Sequence, residues 1–67
     1  MTPRQYARYR TEAGDVWDTR HYDDDKPVFR DERGREWRRV AVTGREYATL
    51  AAASAELDQQ EAARCTV

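Results

Sequence analysis

The sequence contains few of the aliphatic residues that build a large core. Isoleucine is absent, leucine occurs only as Leu50 and Leu57, and no apolar run approaches the roughly 20 residues that span a bilayer. A chain of 67 residues buries only about 60% of the surface that its unfolded form exposes. These limits exclude a membrane-spanning helix within this sequence and argue against a substrate-sized internal cavity. Aromatic rings and alanines must therefore fill most of the core.

Cysteine is equally scarce, because Cys65 is the single example. A lone cysteine has no partner within the chain, so a disulfide framework is excluded and a reducing compartment is the simplest setting. The first residues also lack the charged and then apolar layout of a signal peptide. We therefore expect a cytoplasmic protein with no membrane association.

The chain also lacks a large excess of either charge, since twelve basic and thirteen acidic residues give a net charge of −1. Such a chain has no bulk positive field to attract nucleic acid, and any contact with nucleic acid must come from a local patch. Arginine outnumbers lysine eleven to one and alanine occurs ten times. This usage is typical of GC-rich genomes and suggests a protein encoded by a phage or mobile element.

The first third of the chain predicts a helix followed by a strand. Pro3 suits the first helical position, Tyr6 and Tyr9 recur at helical spacing, and Gly14 supplies a stop. These signals predict a helix over residues 3–13. Residues 16–22 are rich in aromatic and β-branched types, which favours a strand.

The middle of the chain predicts a β-hairpin formed by residues 28–31 and 35–42. The turn is Glu32-Arg33-Gly34, a three-residue loop whose glycine can take the left-handed conformation. This register sets Phe29 opposite Trp37, and we expect both rings on one face, buried against the last helix. Strict alternation gives the two faces in full: Ala41 and Arg39 join Phe29 and Trp37, and the opposite face carries Arg30, Glu36, Arg38, Val40 and Val42.

The last third predicts a second helix over residues 44–63 with a frayed tail over 64–67. Thr43 and Glu46 have the spacing of a capping box, and Val42 and Tyr47 on either side are placed to form a hydrophobic staple. The expected fold is α+β: a single domain over residues 1–67 in the order helix, strand, β-hairpin, helix. Both helices pack on one face of a three-stranded antiparallel sheet.

Two groups of residues are candidates for partner binding. The hairpin arginines can contact a phosphate backbone or an acidic protein surface, and the acidic loop beside Tyr22 can contact a basic partner. The candidate residues are Arg30, Arg38, Arg39, Tyr22, Asp23, Asp24 and Asp25. His21 lies next to this acidic run, but the spacing matches no calcium loop, so we predict no metal site.

No catalytic motif, phosphate-binding loop or cofactor signature occurs in the sequence, so we expect no enzyme activity and no cofactor. The leading hypothesis is a small non-enzymatic intracellular binding or regulatory protein that docks on a larger protein. The alternative is a DNA-binding regulator that uses the arginine-rich hairpin face. The oligomeric state is left open.

Overall fold

The computed structural model describes residues 3–65, which form one antiparallel sheet and one helix. The elements are β1 (Ala7–Arg10), β2 (Val16–Thr19), β3 (Val28–Arg30), β4 (Glu36–Val42) and α1 (Leu50–Cys65). The strands lie in the order β2-β1-β4-β3, so β2 and β3 are the two edges. The predicted fold of two helices on a three-stranded sheet is therefore wrong, because the described residues contain four strands and one helix.

The predicted helix over residues 3–13 is a strand and a turn. β1 leads into β2 through the three-residue loop Glu12-Ala13-Gly14, in which Gly14 has a φ of +96°. The hydroxyl of Thr11 accepts a hydrogen bond from the Asp15 amide at 3.1 Å. The glycine that sequence reasoning interpreted as a helix stop is thus the left-handed residue of a hairpin loop. The predicted strand over residues 16–22 is present but ends at Thr19.

The second hairpin has the predicted loop and register. Phe29 pairs with Trp37, Arg30 pairs with Glu36, and Gly34 has a φ of +81°. The carboxylate of Asp31 holds the loop, because it accepts the amides of Arg33 and Arg35 at 2.9 Å and the Trp37 indole N–H at 3.0 Å. These bonds, with the indole contributing most, hold the pKa of Asp31 well below its usual range.

A β-bulge at Val40 changes the faces of β4. Arg8 of β1 pairs with Ala41 of β4, but the next residue, Tyr9, pairs with Arg39. Val40 is therefore the extra residue on β4. The bulge shifts the alternation by one position. The predicted faces of Ala41 and Val42 are consequently wrong, since Ala41 packs with helix residues and Val42 packs with the aromatic rings.

The sheet has a separate cluster of buried side chains on each face. On the helix side, Tyr6 and Ala41 pack with Ala53 and Leu57 of α1. On the opposite side the buried residues Ala7, Tyr9 and Trp37 pack with Tyr22, Phe29 and Val42, and α1 contributes nothing to this cluster. The prediction that Phe29 and Trp37 share a face is confirmed, but the prediction that the last helix covers them is wrong.

The capping box predicted at Thr43 is also wrong. Thr43 is buried, and its hydroxyl accepts the Tyr6 amide at 3.0 Å and donates to the Arg45 carbonyl at 2.7 Å. The chain then bends at residues 44 and 45, and Tyr47 forms a β-bridge with Arg4. α1 begins six residues beyond the predicted start, at Leu50 instead of residue 44. It continues through residue 65, and residues 66 and 67 of the predicted frayed tail lie outside the described residues.

The residue before α1 provides its N-cap. The hydroxyl of Thr49 accepts the Ala52 amide at 3.4 Å, a long bond in the position that an N-cap occupies. The remaining polar contacts at this end run through Glu56, which accepts the Gly44 amide at 2.6 Å and the Tyr47 hydroxyl. These two bonds lower the pKa of Glu56, with the hydroxyl contributing most. The first half of the helix is thus tied to the segment that precedes it.

A buried arginine connects the sheet to the helix. Arg8, with 6% of its side chain exposed, donates Nε and Nη2 to the two oxygens of Asp18 at 2.7 and 2.9 Å. Its Nη1 donates to Asp58 at 2.6 Å and to Glu61 at 2.7 Å. Ser54 completes the group by donating its hydroxyl to Asp18 at 2.7 Å. One guanidinium therefore joins β1, β2 and α1.

These contacts shift the pKa values of the partners in opposite directions. The hydrogen bond from Arg8 lowers the pKa of Asp18, and hydrogen bonds from Arg10 and then Arg8 lower the pKa of Glu61. The Asp18 hydrogen bond is the main reason that the pKa of Arg8 is raised. A raised arginine pKa affects stability only at strongly alkaline pH, whereas lowered carboxyl pKa values affect it in acid.

We expect acid to destabilise the fold by protonating the carboxylates that contact Arg8. Carboxyls with lowered native pKa values stabilise the protein above their unfolded pKa and lose that contribution as the pH falls through the native value. Asp18→Asn should therefore lower the free energy of unfolding at pH 7 and flatten its decline below about pH 4. Urea unfolding at several pH values measures both effects. Glu12→Gln in the first hairpin loop is the control, and an equal flattening in that variant would contradict the assignment.

The hydroxyl of Thr43 gives a second test. Thr43→Val keeps the shape of the side chain but leaves the buried Tyr6 amide without its acceptor, which should cost about 1–3 kcal/mol. Thr49→Val removes only the long cap bond at an exposed site and should cost about 0.5–1 kcal/mol. Chemical denaturation of the two variants compares these losses. A larger loss at Thr49 would show that the helix cap, not the buried hydroxyl, dominates this region.

Candidate functional site

Four aromatic rings gather on the sheet face that the helix leaves open. They come from all four strands, one from each, and we call Tyr9, Trp17, Phe29 and Trp37 the aromatic cluster. Phe29 and Trp37 stack with centroids 6.4 Å apart and planes at 9°. Tyr9 contacts Trp17 at 5.8 Å and Phe29 at 5.1 Å, the latter edge to face. Such offset and edge-to-face contacts are favourable for aromatic rings.

The cluster shows that the sheet curls around this face. Trp17 lies on edge strand β2 and Phe29 on edge strand β3, with two strands between them. In a flat sheet these edges would be about 14 Å apart, since neighbouring strands lie about 4.8 Å apart. The two ring centroids are only 5.6 Å apart. The sheet must therefore curve and the rings must lean inward, which makes the aromatic face concave.

A small cleft lies between the aromatic cluster and the segment that connects β2 to β3. Its volume is about 210 Å³, and its lining residues are Tyr9, Trp17, His21, Tyr22, Asp23, Lys26 and Phe29. The cluster forms one wall of the cleft and the connecting segment forms the other. We call this site the aromatic cleft.

The most exposed ring of the aromatic cleft is Trp17. It keeps 43% of its surface exposed although it contacts Tyr9, Phe29 and Trp37, and the last two of these contacts are edge to face. Tyr9, in contrast, is 2% exposed and forms part of the base. The cleft thus has a buried aromatic floor with a large exposed ring at its edge.

Arg39 holds the connecting segment in place. Its guanidinium lies 5.8 Å from the centre of the Tyr22 ring and donates to the carbonyls of Asp23 at 3.3 Å and Asp24 at 3.5 Å. Burial, followed by the charge of Asp24, raises the pKa of Tyr22, so its phenol stays neutral at physiological pH. The structure therefore brings together four of the predicted binding residues: Tyr22, Asp23, Asp24 and Arg39. Asp25, also predicted, is exposed in the same segment, where its amide donates to the Asp23 carboxylate at 3.0 Å.

The other two predicted residues, Arg30 and Arg38, lie on the opposite face of the sheet. Both side chains are exposed, and both contact the carboxylate of Glu36, Arg38 at 2.9 Å and Arg30 at 3.8 Å. The register sets Arg38 between Arg10 and Val28. Sequence reasoning thus combined residues from two faces in one set of candidates.

The candidate residues chosen from the sequence did not include Tyr9, Trp17 and Phe29, because the default interpretation placed the aromatic residues in the core. A usable signal was present in the loop Thr11-Glu12-Ala13-Gly14, which has the same polar-x-x-Gly spacing as Asp31-Glu32-Arg33-Gly34. Two hairpins with equivalent loops would have predicted two aromatic strands on one face.

The chemistry of the aromatic cleft suits binding. Besides the two tyrosine hydroxyls and the Trp17 indole N–H, the lining has one imidazole, one carboxylate and one ammonium, from His21, Asp23 and Lys26. Across the part of the chain that the structure describes, no three His, Cys, Asp or Glu side chains are placed to hold a metal ion. Nor does α1, the one helix in residues 3–65, have the length and apolar character needed to cross a membrane.

Comparison with protein families, curated proteins and solved structures finds no significant match. The geometry of the chain itself is therefore the basis for assigning the site.

The role of Trp37 in this face can be tested by truncation. Trp37 is 8% exposed, stacks on Phe29 and donates its indole N–H to Asp31. Trp37→Ala should lower the free energy of unfolding by about 3–5 kcal/mol, as expected for a core tryptophan. Thermal and urea unfolding measure the loss. A melting temperature equal to that of the wild type would show that the aromatic face contributes little to stability.

Proposed function

We propose that this protein is a small non-enzymatic binding protein that docks on a larger protein through the aromatic cleft. The observation that carries the proposal is the exposure of Trp17, which keeps 43% of its surface accessible within a cluster of packed rings. Tryptophan and tyrosine dominate the binding energy of protein interfaces when they fill or line a pocket. A preformed cluster also lowers the entropy cost of binding, because its rings are already ordered.

The charges around the cleft support a protein partner. The rim carries both signs, with Asp23 and Lys26 in the lining and Arg39 beside Tyr22. An apolar centre with a mixed polar rim is the usual anatomy of a protein interface. A surface that binds a phosphate backbone would be expected to carry mainly positive charges around the site.

The DNA-binding alternative has weaker support. Arg30 and Arg38 share Glu36, and Arg35 contacts Asp31 at 2.9 Å and Asp15 at 3.3 Å. Each of these guanidiniums must lose or share a carboxylate before it can neutralise a phosphate. With a net charge of −1, the protein offers little counterion release for duplex DNA.

We also propose the cellular setting in which the protein binds its partner. A lone cysteine fits a reducing cytoplasm, and the arginine and alanine usage fits a GC-rich phage or mobile element. In that setting the protein acts as an accessory or regulatory factor that blocks or recruits its larger partner.

Partner capture from the native host tests the proposal. Trp17→Ser should reduce capture of a specific partner roughly tenfold or more, since tryptophan is a typical interface anchor. Leu50→Ser is the matched control, because Leu50 is 48% exposed but lies at the start of α1, away from the cleft. Quantitative mass spectrometry after nuclease treatment measures capture, and circular dichroism checks that both variants fold.

Two results would contradict the proposal. Equal loss of capture in the two variants would mean that general surface hydrophobicity, not the cleft, selects the partner. Micromolar or tighter binding of duplex DNA at physiological salt, abolished by changing both Arg30 and Arg38 to Glu, would favour the DNA-binding regulator instead.

A further inference from the structure

We infer that the aromatic cleft takes the guanidinium of an arginine side chain from the protein partner. This inference rests on the proposed function and names the chemistry that the cleft recognises. The cleft volume of about 210 Å³ is smaller than the roughly 300–1,000 Å³ of sites for whole small-molecule ligands. It therefore suits the end of one side chain.

The walls of the cleft favour a cation over a neutral apolar group. Four of its seven lining residues are aromatic, namely Tyr9, Trp17, Tyr22 and Phe29, and among the described residues no Leu, Ile, Val or Met contributes to the lining. The face of an aromatic ring carries negative potential and attracts cations within about 6 Å of its centre. Trp17 is the best such ring, and it is also the most accessible one.

The lining also supplies one carboxylate that can accept hydrogen bonds from a cation. The lining contains Asp23, Lys26 and His21, and the segment continues through Asp24 and Asp25. Arg39, beside the cleft, lies 3.8 Å from Asp24. The three carboxylates of the segment are balanced by Arg20, Lys26 and Arg39, so the preference for a guanidinium comes from the aromatic faces, with the Asp23 carboxylate as its hydrogen-bond acceptor.

The protein already holds one guanidinium against a ring that lines this cleft, although Arg39 itself is not a lining residue. Arg39 lies 5.8 Å from the centre of the Tyr22 ring while its Nη atoms donate to the backbone carbonyls of Asp23 and Asp24. A guanidinium is planar and weakly hydrated, so it loses less hydration on an aromatic face than an ammonium does. A partner arginine would make the same kind of contact with Trp17 and Phe29, and its hydrogen bonds would go to Asp23.

A peptide titration tests the recognition directly. The probe is N-acetyl-Gly-Arg-Gly-amide, and the matched control replaces arginine with citrulline, which has the same shape but no charge. Nuclear magnetic resonance of the folded protein should show shifts at Trp17 and Tyr22, with the arginine peptide binding about three- to tenfold more tightly than the citrulline peptide. Equal affinity would overturn the inference and indicate an apolar site. Tighter binding of the corresponding glutamate peptide would overturn it in favour of an anion.

Charge variants give an independent test, because removing an acidic residue and removing a basic residue should change the affinity in opposite directions. Asp23→Asn should weaken binding of the arginine peptide about three- to tenfold, and asparagine can still accept the Asp25 amide that the carboxylate accepts now. Lys26→Gln should strengthen binding, because it removes a cation from the lining. Glu12→Gln makes the same charge change as Asp23→Asn in the first hairpin loop and should have no effect. Reversed effects at Asp23 and Lys26 would overturn the inference.

The results also separate this inference from the proposed function. If Trp17→Ser abolishes partner capture while the arginine and citrulline peptides bind equally, docking through the cleft stands and guanidinium recognition fails. If the arginine peptide binds selectively while Trp17→Ser leaves capture unchanged, the cleft binds a guanidinium but the partner docks elsewhere.

Discussion

The fold depends on the buried guanidinium of Arg8. A charge at this depth is tolerated only when its hydrogen bonds are satisfied, and the partners of Arg8 come from β2 and from α1. This requirement places α1 where Asp58 and Glu61 can reach the arginine. The helix packs on the face that carries Tyr6 and Ala41, and on the opposite face the aromatic rings pack against one another. The aromatic cleft lies on that opposite face.

The sequence was informative where the structure is local. The second hairpin was predictable because Asp31, Gly34 and the facing pairs all favour one register. The first hairpin was not, because Gly14 serves equally well as a helix stop and as a loop residue, and Tyr6 and Tyr9, three residues apart, also fit a helical spacing. Thr43 shows the same ambiguity, since its hydroxyl could cap a local helix but instead accepts the amide of Tyr6, the residue before β1, 37 residues away in sequence.

The candidate site was only partly predictable for a different reason. Tyr22, Asp23, Asp24, Asp25 and Arg39 could be chosen from charge and composition alone. The exposure of Trp17 depends on the curl of the sheet, and the division of β4 between two faces depends on the bulge at Val40. Neither the curl nor the bulge has a signal in the residue pattern, because both arise when β1 and β4 pair across the middle of the sheet.

The connection from β2 to β3 sets the size of the cleft. It comprises residues 20–27, eight residues that run from one edge of the sheet to the other. Eight residues can reach about 27 Å when extended, whereas the edges of even a flat four-stranded sheet are only about 14 Å apart. The connection is therefore about twice as long as the crossing requires, which leaves room for a turn in which the Lys26 amide donates to the Asp23 carbonyl at 3.0 Å. The extra length lets the segment pack Tyr22 against the buried cluster and still bring Asp23 and Lys26 into the lining of the cleft.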